Sequence, residues 1–159
     1  MPMASFNPLQ AGVAITRDNY SWSPALGQAT NVTYGFRTTA PASIVGFSQA
    51  SAAQMSAVQT VLQLWADVAN ISFTEISSGA YTDNATILFG NANDPVGGWG
   101  GRANYPGSRD SSSIAGDVWM NRALHGDDFT PGGFDLKGFI HEVGHALGLE
   151  HPGRYDGGS

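Results

Sequence analysis

His141-Glu142-Val143-Gly144-His145-Ala146-Leu147-Gly148-Leu149-Glu150-His151-Pro152-Gly153 is the stretch around which the remaining chain has to be arranged. Its spacing is H-E-x-x-H-x-x-G-x-x-H. In an α-helix each residue turns about 100°, so His141 and His145 fall about 40° apart on one face and a turn apart along the axis. Two imidazoles placed in this way can grip one metal ion from the same side. Glu142 points beside the metal rather than at it, which suits a carboxylate that takes a proton from a metal-activated water. A straight helix could not bring His151 round to the same ion. Gly148 supplies the break, because glycine enters the left-handed conformation that ends helices without a Cβ penalty. The chain can then reverse and return His151, and Pro152 stops any further helix. Three neutral imidazoles leave the fourth position of a tetrahedral zinc to water, the open coordination of a catalytic site. A bare H-E-x-x-H often occurs by chance on amphipathic helices. Here the glycine and third histidine are also in register, and the chain has only 4 histidines in all.

The helix carrying this motif is predicted over residues 134–147, after the break at Pro131-Gly132-Gly133. Leu136, Phe139, Ile140, Val143 and Leu147 form its apolar stripe, with the ligands on a neighbouring face, so the helix should lie under a cleft floor. A second helix is predicted over 52–70. Ser51-x-x-Gln54 has the form of a capping box, and Met55, Val58, Leu62, Trp65 and Ala69 recur at three- and four-residue steps, flanked by Val61 and Val68. Strands are expected at 31–38, where Val32, Tyr34 and Phe36 alternate with polar neighbours, and at 71–76, which alternates again. The apolar run 86–90 suits a strand buried on both faces, and 117–121 a further short one. Residues 99–105 (Trp99, Gly100, Gly101, Arg102, Ala103, Asn104, Tyr105) are extended in character but poor in branched side chains, as an exposed edge strand tolerates. Such an edge offers unpaired backbone groups to an extended peptide.

Residues 1–30 read as an irregular arm in which Trp22 is the anchor to the core. Asn91, Asn93 and Asp94 match no calcium loop, so turn chemistry is expected there. His125, near Asp127 and Asp128, is expected in a solvated loop rather than a second metal site.

At 159 residues the chain suits one domain with a real core, and its 42% hydrophobic content describes a soluble globular protein. No apolar run of about eighteen residues exists to span a bilayer. Residues 1–10 lack the charged segment and apolar core of a recognisable secretory signal. The absence of cysteine rules out disulfides and thiolate ligands without deciding the compartment. A net charge of −6 repels nucleic acid phosphates. Nucleic acid and membrane are therefore not expected as partners.

Over most of its length the chain resembles the serralysin-type (serralysin/alkaline protease) branch of the metzincins. The zinc signature carries the resemblance, joined by His151-Pro152-Gly153-x-Tyr155, the Trp65-Ala66-Asp67-Val68-Ala69-Asn70-Ile71-Ser72-Phe73 junction, Ile87-x-Phe89-Gly90-Asn91 and Tyr105-Pro106-Gly107. The resemblance implies an α+β, zincin-like fold: a twisted, mostly parallel five-stranded sheet with an antiparallel edge strand, backed by two long helices. It implies a secreted bacterial zinc endopeptidase of broad specificity. Zinc would be held by His141, His145 and His151, with Glu142 as general base and then general acid. The strand from Trp99 through Gly100, Gly101, Arg102, Ala103 and Asn104 would pair with the substrate backbone. In the family a methionine turn, followed by a tyrosine that can ligate zinc, comes some tens of residues after the third histidine; residues 1–159 end before any such turn, and Tyr155 is not that tyrosine. The family's lower-subdomain helix, calcium-binding glycine-rich repeats and C-terminal export signal are not within these residues either. Calcium would belong to that C-terminal part, and the expectation is a chain cut after the zinc motif. The alternative is a zinc-binding fragment or binding module, holding a proteinaceous inhibitor or its missing C-terminal half instead of turning over.

Overall fold

The alternation of Val32, Tyr34 and Phe36 sends three side chains to one face of an extended segment, and the sheet is built outward from it. The computed structural model describes residues 12, 15–16, 20–25, 27–76, 85–107 and 114–151. In chain order they form β1 (Thr30–Phe36), α1 (Ala52–Ala66), β2 (Ile71–Glu75), β3 (Ile87–Ala92), β4 (Gly101–Ala103), β5 (Val118–Asn121) and α2 (Phe134–Ala146). The five strands make one sheet in the order β2-β1-β3-β5-β4. Every neighbouring pair is parallel except β4 with β5, which is antiparallel at the edge. The expected α+β architecture is therefore the one observed.

Both helices cover the same face of the sheet. Val32, Tyr34 and Phe36 of β1, Ile87 and Phe89 of β3, and Val118 and Met120 of β5 meet Val58, Val61 and Leu62 of α1 and Leu136, Phe139 and Val143 of α2 in one buried cluster. Apolar burial on this scale is the main favourable contribution to folding. The other face is smaller: Trp119 packs with Ile44 and Ala92 under Phe47 and Trp99. Strand β3 is buried along its whole length, as a strand covered on both faces should be.

The capping box forms as its sequence requires. Gln54 N–H donates to Ser51 Oγ at 3.2 Å, and Ser51 N–H donates to Gln54 Oε1 at 2.9 Å. Helix α1 nevertheless stops at Ala66, short of the expected Asn70. Residue 71 must already lie in register with Thr30, and Thr30 N–H donates to the Asn70 carbonyl, so the last residues turn out of the helix. Val68 falls in that turn and is 78% exposed, not a flank of the apolar stripe. Trp22 does anchor the lead-in segment, packing against the main core. No helix among the described residues is long and apolar enough to cross a membrane.

Candidate metal centre

Helix α2 delivers His141, Glu142 and His145 in one turn, and the turn after it returns His151. Leu147 closes the helix in right-handed geometry, and Gly148 then takes φ +104°. Leu149 N–H donates back to the Gly144 carbonyl at 2.9 Å, completing the reversal. An added Cβ at Gly148 would overlap the Tyr20 carbonyl oxygen, so both space and dihedral demand glycine here. Glu150 N–H donates to the Ile15 carbonyl at 2.7 Å, and Thr16 bridges Leu149 in antiparallel fashion. The lead-in segment thus braces the loop that carries the third histidine.

The three Nε2 atoms converge. His141 to His145 is 3.0 Å, His145 to His151 is 3.1 Å and His151 to His141 is 3.0 Å. The centre of such a triangle lies roughly 1.8 Å from each nitrogen, inside the Zn–N distance of about 2.0–2.1 Å. One ion could therefore be held by His141, His145 and His151 together. Three ring nitrogens this close could share one cation. His145 Nδ1–H donates to the Leu149 carbonyl at 2.7 Å, which fixes the tautomer with a lone pair on Nε2. Desolvation, and then the nearby His145 and His151, lower the pKa of His141. His141 is thereby biased toward the neutral form that a metal takes.

Glu142 is 7% exposed, and burial alone raises its pKa to about 7. That places a carboxyl group near the neutral pH at which a general base is most useful. Its neighbour is the edge strand: a Cβ built on Gly101 would stand 2.7 Å from Glu142 Oε1. Only glycine lets β4 pass this close to the carboxylate.

Helix α2 is held from three sides. Trp22 Nε1–H donates to the Ala146 carbonyl at 2.8 Å, occupying an acceptor at the helix end. Trp65 Nε1–H of α1 donates to the Ile140 carbonyl at 3.3 Å. At the other end the N-cap is Gly133, which has no side chain to offer. Asp128 supplies the missing acceptor, taking Phe134 N–H at 3.2 Å, and the bonds from Thr130 and Phe134 hold its carboxyl below the ordinary value.

Strand β4 is shorter than the expected 99–105, but its hydrogen bonding to β5 runs further. Asn121 N–H donates to the Gly100 carbonyl at 2.7 Å, and Asn104 N–H to the Asp117 carbonyl at 2.9 Å. Trp99 turns away to the far face, where its indole donates to Asp94 at 3.2 Å. Asp94 also accepts from Val96 and Gly97, so the turn chemistry expected of this loop is what forms. Asn91 has a different task, exchanging paired amide bonds with Gln54 at 3.0 and 2.9 Å.

His125 corrects the sequence reading. It is 9% exposed rather than solvated. Its Nδ1 lies 2.8 Å from Asp135 Oδ1, its ring stacks on Phe134 at 5.0 Å, and it is seated between Gly100 and Gly138. Asp135 also takes the backbone N–H of Gly126 and Asp128. This buried pair sits between the start of β4 and the turn of α2 that precedes Glu142. The only signal in sequence was an acidic residue in the helix's first turn, which could as well have served the helix dipole. Pro152, Gly153 and Tyr155 lie outside the described residues.

The matrixin family model (Peptidase_M10) matches residues 22–156. Among curated proteins, serralysin C of Dickeya chrysanthemi is 39% identical over 97% of this chain and 33% of its own length. Serralysin A of the same species is 38% identical over 97% of this chain and 34% of its own length. Metallopeptidase AprA of Pseudomonas marginalis is 32% identical over 97% of this chain and 33% of its own length. The chain thus spans about one third of the length of these relatives.

Proposed function

The chain belongs to the matrixin family of peptidases, and on that premise we propose that it is a zinc-dependent endopeptidase whose centre is His141, His145, His151 and Glu142. The observation that carries this reading is the convergence of three Nε2 atoms within 3.1 Å of one another beside a buried carboxyl group. A zinc ion held there would polarise the scissile carbonyl and lower the pKa of a water to about 7.

The chain's own residues supply the rest. Glu142 takes the proton of the attacking water on a carboxylate oxygen, and then gives it to the departing amine nitrogen. The free edge of β4 is read as the track for an extended substrate, its backbone groups pairing with the peptide between Gly100 and Asn104. Gly101 sets the spacing, bringing that track against Glu142. The likeness to serralysins extends the reading to protein substrates and to secretion. We read the described sheet and helices as one catalytic subdomain.

The test is a pair of measurements on the full chain. Elemental analysis should find one zinc per chain, and a quenched peptide should be cleaved with zinc and spared after chelation. Zinc without cleavage would replace the enzyme by a binding module. Absence of zinc from a folded chain would end the assignment.

A further inference from the structure

Among the described residues, strand β4 pairs with β5 on one side only and ends the sheet. Its faces are unequal. Gly101 abuts Glu142, and Ala103 packs against the core beneath the helices. Successive side chains on a strand point to opposite faces, so Arg102 projects to the other side, above its register partner Trp119. There the guanidinium carbon stands 4.7 Å from the centre of the Trp99 ring.

That ring is fixed. Asp94 Oδ2 accepts its indole N–H at 3.2 Å, and Asn121 Nδ2 donates to the carbonyls of both Asp94 and Trp99 at 2.8 Å. Stacking occupies the flat face of a guanidinium and leaves its N–H edge free for a carboxylate. The other described arginines are committed: Arg37 to Asp117 and Arg122 to Asp127. Arg102 is exposed and meets no carboxylate among the described residues. In a chain of net charge −6, an arginine on the free edge is therefore a positive charge held ready.

We propose that Arg102 is a specificity-determining residue, selecting an acidic side chain in the peptide segment that lies along β4. An added strand places side chains directly across from those of its neighbour on the same face. The acidic residue is therefore the one opposite Arg102, next in the peptide to the residue opposite Gly101 and Glu142. It lies close to the cleaved bond and points away from it. This rests on the reading of β4 as the substrate track.

The experiment uses the zinc-loaded full chain and quenched peptides in which Glu, Gln or Lys is walked through the positions flanking the cleaved bond. One position should show kcat/KM falling from Glu to Gln to Lys, by about two- to five-fold per step as for an exposed ion pair. The spread should shrink in about 1 M salt. Arg102→Gln should flatten the order and Arg102→Glu should reverse it. In parallel, the Glu142→Gln chain is titrated with the same labelled peptides by fluorescence anisotropy, and Kd should rank them in the same way. If nothing is cleaved but the Kd order follows the charge at position 102, the endopeptidase reading fails and the Arg102 proposal stands. If peptides are cleaved with no charge order at any position, or the order survives Arg102→Glu, the proposal is overturned.

Discussion

At the scale of the single residue, Glu142 is the group whose surroundings matter most. Glu142→Gln should retain zinc at wild-type stoichiometry and lose peptide hydrolysis, read by elemental analysis and a quenched-peptide assay on one preparation. Retained turnover would remove Glu142 from its role. Its pKa makes a second prediction, for metal-free protein. The folded value, about 7, lies above the ordinary 4.5 because burial disfavours the anion. Below about pH 4.5 the carboxyl is protonated in both states and costs nothing; stability then falls as pH rises toward 7 and levels off above it. In chelator, Glu142→Gln should therefore stabilise the chain at about pH 8, by a few kcal/mol at most, and hardly at all near pH 4.5. A pH-independent difference in Tm would contradict this account. Gly101→Ala forces a methyl to 2.7 Å from Glu142 Oε1. Hydrolysis should drop on the order of 10- to 100-fold with zinc still bound, because the carboxylate or the strand must move. The convergence of the three histidines could be read in sequence because helical spacing and one glycine suffice to bring it about. The contact of Gly101 with Glu142 could not, since it joins a strand to a helix and leaves no local pattern.

At the scale of the element, local chemistry was readable and long-range pairing was not. The cap of α1 involves residues three apart, and the apolar stripe repeats every turn, so both show in the sequence. The amide pair of Gln54 and Asn91 joins residues 37 apart, and no periodicity announces it. The two features predict different costs. Ser51→Ala should lower stability by about 1 kcal/mol, the usual value for an N-cap. Asn91→Ala leaves the buried Gln54 amide short of a partner and should cost about 1–3 kcal/mol besides the lost packing. Urea unfolding monitored by tryptophan fluorescence ranks them, and equal midpoints for the two variants would refute the ordering. The overlong estimate of α1 has a related cause: helix propensity continues past Ala66, but the register of β2 against β1 overrides it.

At the scale of the whole molecule, the candidate metal centre joins segments that are remote in sequence. Helix α2 brings two histidines and the turn after it brings the third, while Trp22, 124 residues from its partner Ala146, secures the helix end. An ion that binds only the assembled triad stabilises the native state by mass action. Free zinc at about 100 times its Kd should add roughly 2.7 kcal/mol, seen as a rise in Tm that chelation abolishes. No change in Tm on chelation would mean that the three nitrogens do not share an ion.

The brace formed by Ile15, Thr16 and Tyr20 against residues 148–150 carries this further. A nascent chain releases those three residues well before His151, and they must wait, undocked, for their partner. Capture of an ion by the triad would then be a checkpoint, passed only when the two segments have met. A protease nick between residues 16 and 20 would spare the sheet and blunt the grip on zinc.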